Sequence, residues 1–345
     1  MSAMDEEISL RIKVIGIGDS GGNILQNMVT NCPEEVELVT INSDARAVQN
    51  VSGITPIQIN LNITKERNAS DIVAVRAKAE KEIADQVIEK INGADLVFLA
   101  TDLSEKKGYT TISAVANVAK KIQNALTIAI VAIPIQTETA TSRSAADEAI
   151  SELAEHVHLF IPMSSAAMRS SDFNKNAGQN DIAIRNEMFC QVIQGIYEPL
   201  TNRGMIGIDF ADYKTIFHEP GIAAVGLGRS NTRVDRGEIA AKMALSNPLT
   251  VTSLDEKYSF VFASIACGSF KCLQDYLDAS AEIQAKYCNI EDFIFGVPVM
   301  ESMKNEIRVI VVATGSEPES LQDFASNSVD SGRHTDSVEK NRNGQ

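Results

Sequence analysis

The feature that most constrains this chain is the stretch Arg11–Asn23, RIKVIGIGDSGGN. Ile12–Ile17 are largely apolar and β-branched, as a buried strand requires. Gly16, Gly18, Gly21 and Gly22 follow in a tight cluster, and ILQNMV then continues at helical spacing, predicting a helix from about Gly22 to Val29. Strand, glycine turn and helix together offer bare backbone N–H groups to a phosphate. Gly18, Gly21, Gly22 and Asn23 are therefore candidate nucleotide contacts. The same glycines make a GxGxxG match with Asp44 after the next strand, the pattern of a Rossmann-type dehydrogenase. Taken alone, the motif is compatible with either ligand.

Apolar runs at Val36–Asn42, Ile54–Ile59, Asp95–Ala100, Leu126–Ile133 and Leu159–Met163 alternate with helical patterns, including a long one over Asp71–Ile91. That alternation predicts an α/β fold whose parallel sheet is covered on both faces. Asn42 and Asp44 stand at the end of a buried strand, where open parallel sheets bind ligands. Asp44 also fits a cap on a helix starting near Ala45, and both roles stay open. Thr101–Thr111 occupies a comparable loop with a single glycine, Gly108. Asp102 and Glu105 there oppose phosphate, Lys106 and Lys107 offset them, and a plain solvated loop is the simpler reading.

Ile182–Leu200 reads as a long helix interrupted only by Gly195, the spine between two units. Beyond it, Gly204–Phe210 opens a smaller α/β unit with a mixed sheet. Asp209 and Asp212 share a helical face, where they cap a helix, hold a cation or activate a water. After Gly315 the chain turns polar and mixed in charge, which predicts disorder over 316–345, with Leu321 and Phe324 as a weak docking point.

Composition excludes some partners. The 345 residues carry 46 acidic against 31 basic side chains, a formal charge of -15, so nucleic acid is not expected as a partner. No apolar run reaches transmembrane length and MSAMDEEIS lacks the features of a signal peptide, so a cytoplasmic protein without membrane insertion is expected. The five cysteines show no zinc-type spacing and read as reduced, mostly buried thiols, and no metal site is expected from them.

Several segments, in order, resemble the FtsZ proteins of the tubulin superfamily. They are Ile12–Asn23, INSDARAVQN at Ile41–Asn50, VIQGIYEPL at Val192–Leu200, IDFADYKTIF at Ile208–Phe217, VGLG at Val225–Gly228, ALSNPL at Ala244–Leu249 and IRVIVVATG at Ile307–Gly315. Residues 1–10 read as a flexible arm, and the resemblance implies a Rossmann-like GTPase-type domain over 11–181, a central helix over 182–203 and an activation-type domain over 204–315. It further implies GTP or GDP as ligand, magnesium only together with GTP, and head-to-tail self-association. In such filaments Asp209 and Asp212 would reach the nucleotide of the next subunit.

The departures from the family pattern are as informative as the match. Asp19 and Ser20 replace glycines of the first loop, and SEKKGYT at Ser104–Thr110 stands where the family has GGGTGTG. Ile63–Ser70 lacks the expected glycines, and Gly207 stands where an asparagine is expected. Ile182 and Asn186 replace an aromatic and an acid at the purine contacts, while Arg143 is the candidate phosphate cation of the following segment. The expectation is an FtsZ-like filament or assembly protein, a pseudo-GTPase with weak or absent GTP binding and hydrolysis. One alternative is an active divergent GTPase in which Lys106 and Lys107 act as point charges; another is a non-polymerising adaptor that co-assembles with an authentic FtsZ through Asp209 and Asp212.

Overall fold

The computed structural model describes residues 10–42, 44, 51–58, 87, 89–102, 125–133, 153, 155–164, 167–168, 181–202, 204–217, 221–246, 248–250, 254, 258–288, 290 and 292–315. The expected terminal arm, the Thr101–Thr111 loop beyond Asp102, most of the Asp71–Ile91 helix and the polar tail lie outside the described residues.

The first layer is a parallel sheet of β1 (Ile12–Ile17), β2 (Val36–Asn42), β3 (Ile54–Gln58), β4 (Leu96–Asp102), β5 (Leu126–Ile133) and β6 (Leu159–Ser164). Its order is β3-β2-β1-β4-β5-β6, so the chain steps outward from β1 and returns to its other side at β4. This reversal opens a crevice at the C-terminal ends of β1 and β4, where open parallel sheets hold ligands. β4 is buried along its whole length and β5 everywhere but its last residue, which explains their unbroken apolar runs.

Helix α1 (Gly18–Met28) begins four residues before the position expected from sequence, so Gly18, Asp19 and Ser20 belong to its first turn and not to a preceding loop. The cause is close packing on β1: a Cβ on Gly21 would lie 2.5 Å from the carbonyl carbon of Gly16. β4 likewise runs on through Asp102, which the sequence places in a loop; Asp102 pairs with Ala132 of β5.

α2 (Asp181–Thr201) is the long helix and passes through Gly195 without a break, carrying Pro199 near its end. Gly195 is a contact point, since a Cβ there would meet Ile310 Cδ1 at 2.5 Å. Next come β7 (Gly204–Ile206), α3 (Phe210–Ile216), β8 (Gly221–Ile222), β9 (Ala224–Ser230), α4 (Arg236–Ser246), β10 (Phe260–Cys267), α5 (Leu273–Lys286), β11 (Asp292–Pro298) and β12 (Ile307–Thr314). β8, which no strand pattern in the sequence announces, extends the parallel sheet beside β6. The others form a mixed sheet ordered β7-β11-β10-β12-β9, with β10 and β11 parallel.

One hydrophobic core joins the two layers. Val14 and Phe98 from the parallel sheet, Phe189, Ile193 and Tyr197 from α2, and Phe262 and Val312 from the mixed sheet belong to it. A second cluster lies between the mixed sheet and α4 and α5.

Cys267 and Cys272 are disulfide-bonded, contrary to the expectation of reduced thiols. The end of β10 and the start of α5 bring their Cα atoms to 6.5 Å, within bonding reach. Cys190 is buried, Cys32 half-buried and Cys288 exposed.

Candidate functional site

Two groups of candidate residues lie at opposite ends of α2. The first occupies the crevice at the ends of β1, β2 and β4. Gly18, Gly21 and Gly22 are on the first turns of α1, and no side chain caps the helix at Ile17. Its N-terminal N–H groups therefore lack a side-chain cap at the sheet edge. Asn23 is exposed on the second turn. Asn42 is buried at the end of β2 and donates from Nδ2 to Asp19 Oδ1 at 2.7 Å, while its own Oδ1 accepts from the Asp44 N–H at 2.9 Å. The sequence-predicted Asn42 and Asp44 thus form one polar chain with Asp19, and the carboxylate of Asp19 stands in the first turn of α1.

The N-terminal turns of α2 lie beside the end of β4, where Arg185 meets Asp102. Asn186 is 4% exposed, and its Oδ1 has no hydrogen-bond partner among the described residues. A buried acceptor of this kind suits a ligand donor such as a base N–H. Ile182, one turn earlier, is 47% exposed. The structure therefore places Gly18, Gly21, Gly22, Asn42 and Asp44 at strand and helix ends of one sheet edge, and Asn186 on the helix beside them. Lys106, Lys107, Gly108 and Arg143 lie outside the described residues.

Arg185 escaped sequence reasoning. Its Nη1 donates to Asp102 Oδ2, joining the start of α2 to the end of β4. The partners are 83 residues apart, and no local pattern announces such a pair. Thr101 Oγ1 also donates to the Ile17 carbonyl at 2.9 Å, fastening β4 to β1 beneath the crevice.

The second group lies past the other end of α2. Asp209 is the N-cap of α3: its Oδ1 accepts from the Ala211 N–H at 2.9 Å, and Asp212 Oδ2 accepts from the Asp209 N–H at 3.3 Å. This is a reciprocal capping box on two exposed residues, so the structural role of the pair is realised. Gly207 stands beside them, and a Cβ on it would meet nothing within 4 Å.

Between the two groups, Arg308 of β12 donates to Glu198 of α2, both buried. Burial pushes the Glu198 carboxyl up, against the opposing pull of Arg308 and Arg229. Burial pushes the neighbouring Arg229 down, while Glu306 and Glu187 act in the other direction.

A nucleotide-type parallel sheet, a long helix along it and a mixed second sheet define the tubulin/FtsZ class of fold. Residues 11–171 match the Tubulin/FtsZ family GTPase domain, and residues 221–317 match the FtsZ family C-terminal domain. The cell division protein FtsZ of Pseudomonas aeruginosa is 30% identical over 304 residues, covering 88% of this chain and 77% of that protein. That of Wigglesworthia glossinidia brevipalpis is also 30% identical over 304 residues, with 88% and 79% covered. The chain belongs to the tubulin/FtsZ family. Among solved structures, an FtsZ dimer from M. jannaschii superposes with a TM-score of 0.77 at 25% identity, covering 90% of this chain and 89% of that one. CetZ2 from Haloferax volcanii, in a GTPγS-bound protofilament, shares the fold with a TM-score of 0.72 at 15% identity, covering 94% and 100%. Among the described residues, no helix is long and apolar enough to cross a membrane, and no cluster of His, Cys, Asp and Glu is arranged to hold a metal.

Proposed function

We propose that this chain is a filament-forming GTPase of the FtsZ type, binding GTP or GDP at the ends of β1, β2 and β4 and assembling head to tail. The observation that carries the reading is the separation of the two groups by α2. From Asn186 to Thr201 the helix rises by about 22 Å, too far for Asp209 and Asp212 to act on a nucleotide held by the same subunit. A second copy stacked along the helix direction would bring them to it. That an FtsZ from M. jannaschii is a dimer in its solved structure supports self-association of this kind.

In this reading, the N–H groups of the Gly18–Gly22 turn take phosphate oxygens and Asn186 Oδ1 accepts from the base. GTP, when bound, would supply the phosphoanhydride to be cleaved, with magnesium only together with it. Asp209 and Asp212 of the following subunit position the attacking water or the cation, which ties hydrolysis to assembly. Residues 11–181 then form the nucleotide domain, 182–203 the connecting helix and 204–315 the activation-type domain. An authentic FtsZ subunit would fit the same face in co-assembly. GTP binding and phosphate release by the purified chain, measured against protein concentration, test this. Turnover that rises with concentration is expected, and binding without any concentration-dependent release would contradict it.

One observation favours a second reading, an assembly protein in which GTP binding is weak or absent. The Asp19 carboxylate stands in the first turn of α1, held by Asn42, where it opposes a phosphate. Nucleotide-independent pelleting together with undetectable GTP binding would support this reading over the first.

A further inference from the structure

We propose that Arg185, held in place by Asp102, is a phosphate-binding residue of this crevice, replacing contacts that a glycine-rich loop would make. The inference rests on the nucleotide reading above. Asp102 ends β4 at the C-terminal edge of the sheet, beside the reversal between β1 and β4, and is 3% exposed. A carboxylate so buried requires partners, and Nη1 of Arg185 is one of them. The Arg185 side chain remains 23% exposed, and Asp102 is its one ion-pair or hydrogen-bond partner among the described residues.

A guanidinium carries five N–H donors in a fixed plane. Anchoring one amino group on a buried carboxylate restrains the guanidinium and leaves the other donors for a second acceptor. Arg185 is flanked by exposed Ile182 and by the unpartnered Oδ1 of Asn186 on the same turns of α2. These turns therefore present an apolar surface, an acceptor and a set of directional donors to one crevice. A base and a phosphate group together satisfy all three. The pair is neutral overall, so its contribution is directional hydrogen bonding to the oxyanion and not long-range attraction. Arg185 is the proposed ligand contact and Asp102 its positioning residue.

The test is competition of GTP, GDP and guanosine against a fluorescent GTP analogue, using the full chain. Arg185→Gln combined with Asp102→Asn removes both charges without stranding either, and thermal melting checks its fold. Expected is a roughly 10- to 100-fold loss for GTP and GDP, the worth of a charge-assisted hydrogen bond, with guanosine unchanged. Arg185→Lys should recover part of the GTP affinity, and Asp102→Asn alone should lose part of it, again with guanosine unchanged. Equal GTP affinity in the double variant, or an equal loss for guanosine, overturns the proposal while leaving nucleotide binding in place. No binding of GTP by the unaltered chain overturns both it and the reading on which it rests.

Discussion

Glu198 of α2 and Arg308 of β12 form a hydrogen-bonded ion pair with side chains 2% and 6% exposed, at the contact between the central helix and the second sheet. Removing one partner leaves an uncompensated buried charge. Arg308→Met should destabilise the chain by about 3–5 kcal/mol, whereas Glu198→Leu combined with Arg308→Met should recover most of that. Urea unfolding of the two single variants and the double variant measures the coupling, provided the transitions stay two-state.

Adjacent glycines of α1 should respond in opposite directions. A Cβ on Gly21 would lie 2.5 Å from the Gly16 carbonyl carbon and 2.8 Å from the Ala100 carbonyl oxygen, so Gly21→Ala must push the helix off the sheet. A cost of about 1–3 kcal/mol is expected. A Cβ on Gly22 would meet Thr40 Oγ1 at 3.6 Å, an ordinary contact, and Gly22→Ala should stabilise by up to about 1 kcal/mol. Denaturant midpoints decide both.

Much of this architecture is legible in the sequence, and its limits have physical causes. β2 and β5 have the ends expected from their apolar runs, because strands buried on both faces announce themselves without periodicity. The start of α1 is not legible, because Gly18, Asp19 and Ser20 are poor helix formers held by the packing of Gly21 on Gly16. Asp209 and Asp212 are readable as a cap from their spacing alone, and the capping box is present. The Asp102–Arg185 pair and the Cys267–Cys272 bond are not readable in this way. The first depends on a sheet reversal that joins residues 83 apart, and the second on how a loop returns the chain from β10 to α5.

The cysteines should differ in reactivity. Burial raises the Cys32 thiol to about 11 and the Cys190 thiol to about 12, with Glu187 adding to the latter, while Cys288 is exposed. The thiolate is the reacting species, so raising the pKa lowers its population in the folded chain. At pH 8 alkylation should reach Cys288 first, then Cys32, with Cys190 protected until unfolding. Peptide mass spectrometry over a time course reads the order, and early labelling of Cys190 would contradict its burial.

Asp19→Asn separates charge from hydrogen bonding, because an asparagine oxygen can still accept from Asn42. Removing the negative charge from the first turn of α1 should tighten GTP binding by on the order of tenfold. Titration at low and high salt checks the electrostatic origin, since the gain should shrink as salt rises. Unchanged affinity would place the phosphates away from this turn.

Asp212→Ala separates the cap from the proposed action on a neighbouring nucleotide. Loss of one capping partner should cost about 1 kcal/mol of stability and leave GTP binding by the monomer intact. The most direct measurement is sedimentation and phosphate release in GTP, for the unaltered chain, for Asp212→Ala and for an equal mixture. Expected is GTP-dependent pelleting with turnover by the unaltered chain, pelleting with strongly reduced turnover by the variant, and intermediate turnover in the mixture. Full turnover by Asp212→Ala, or no GTP-dependent assembly by the unaltered chain, would contradict a nucleotide site completed by the next subunit.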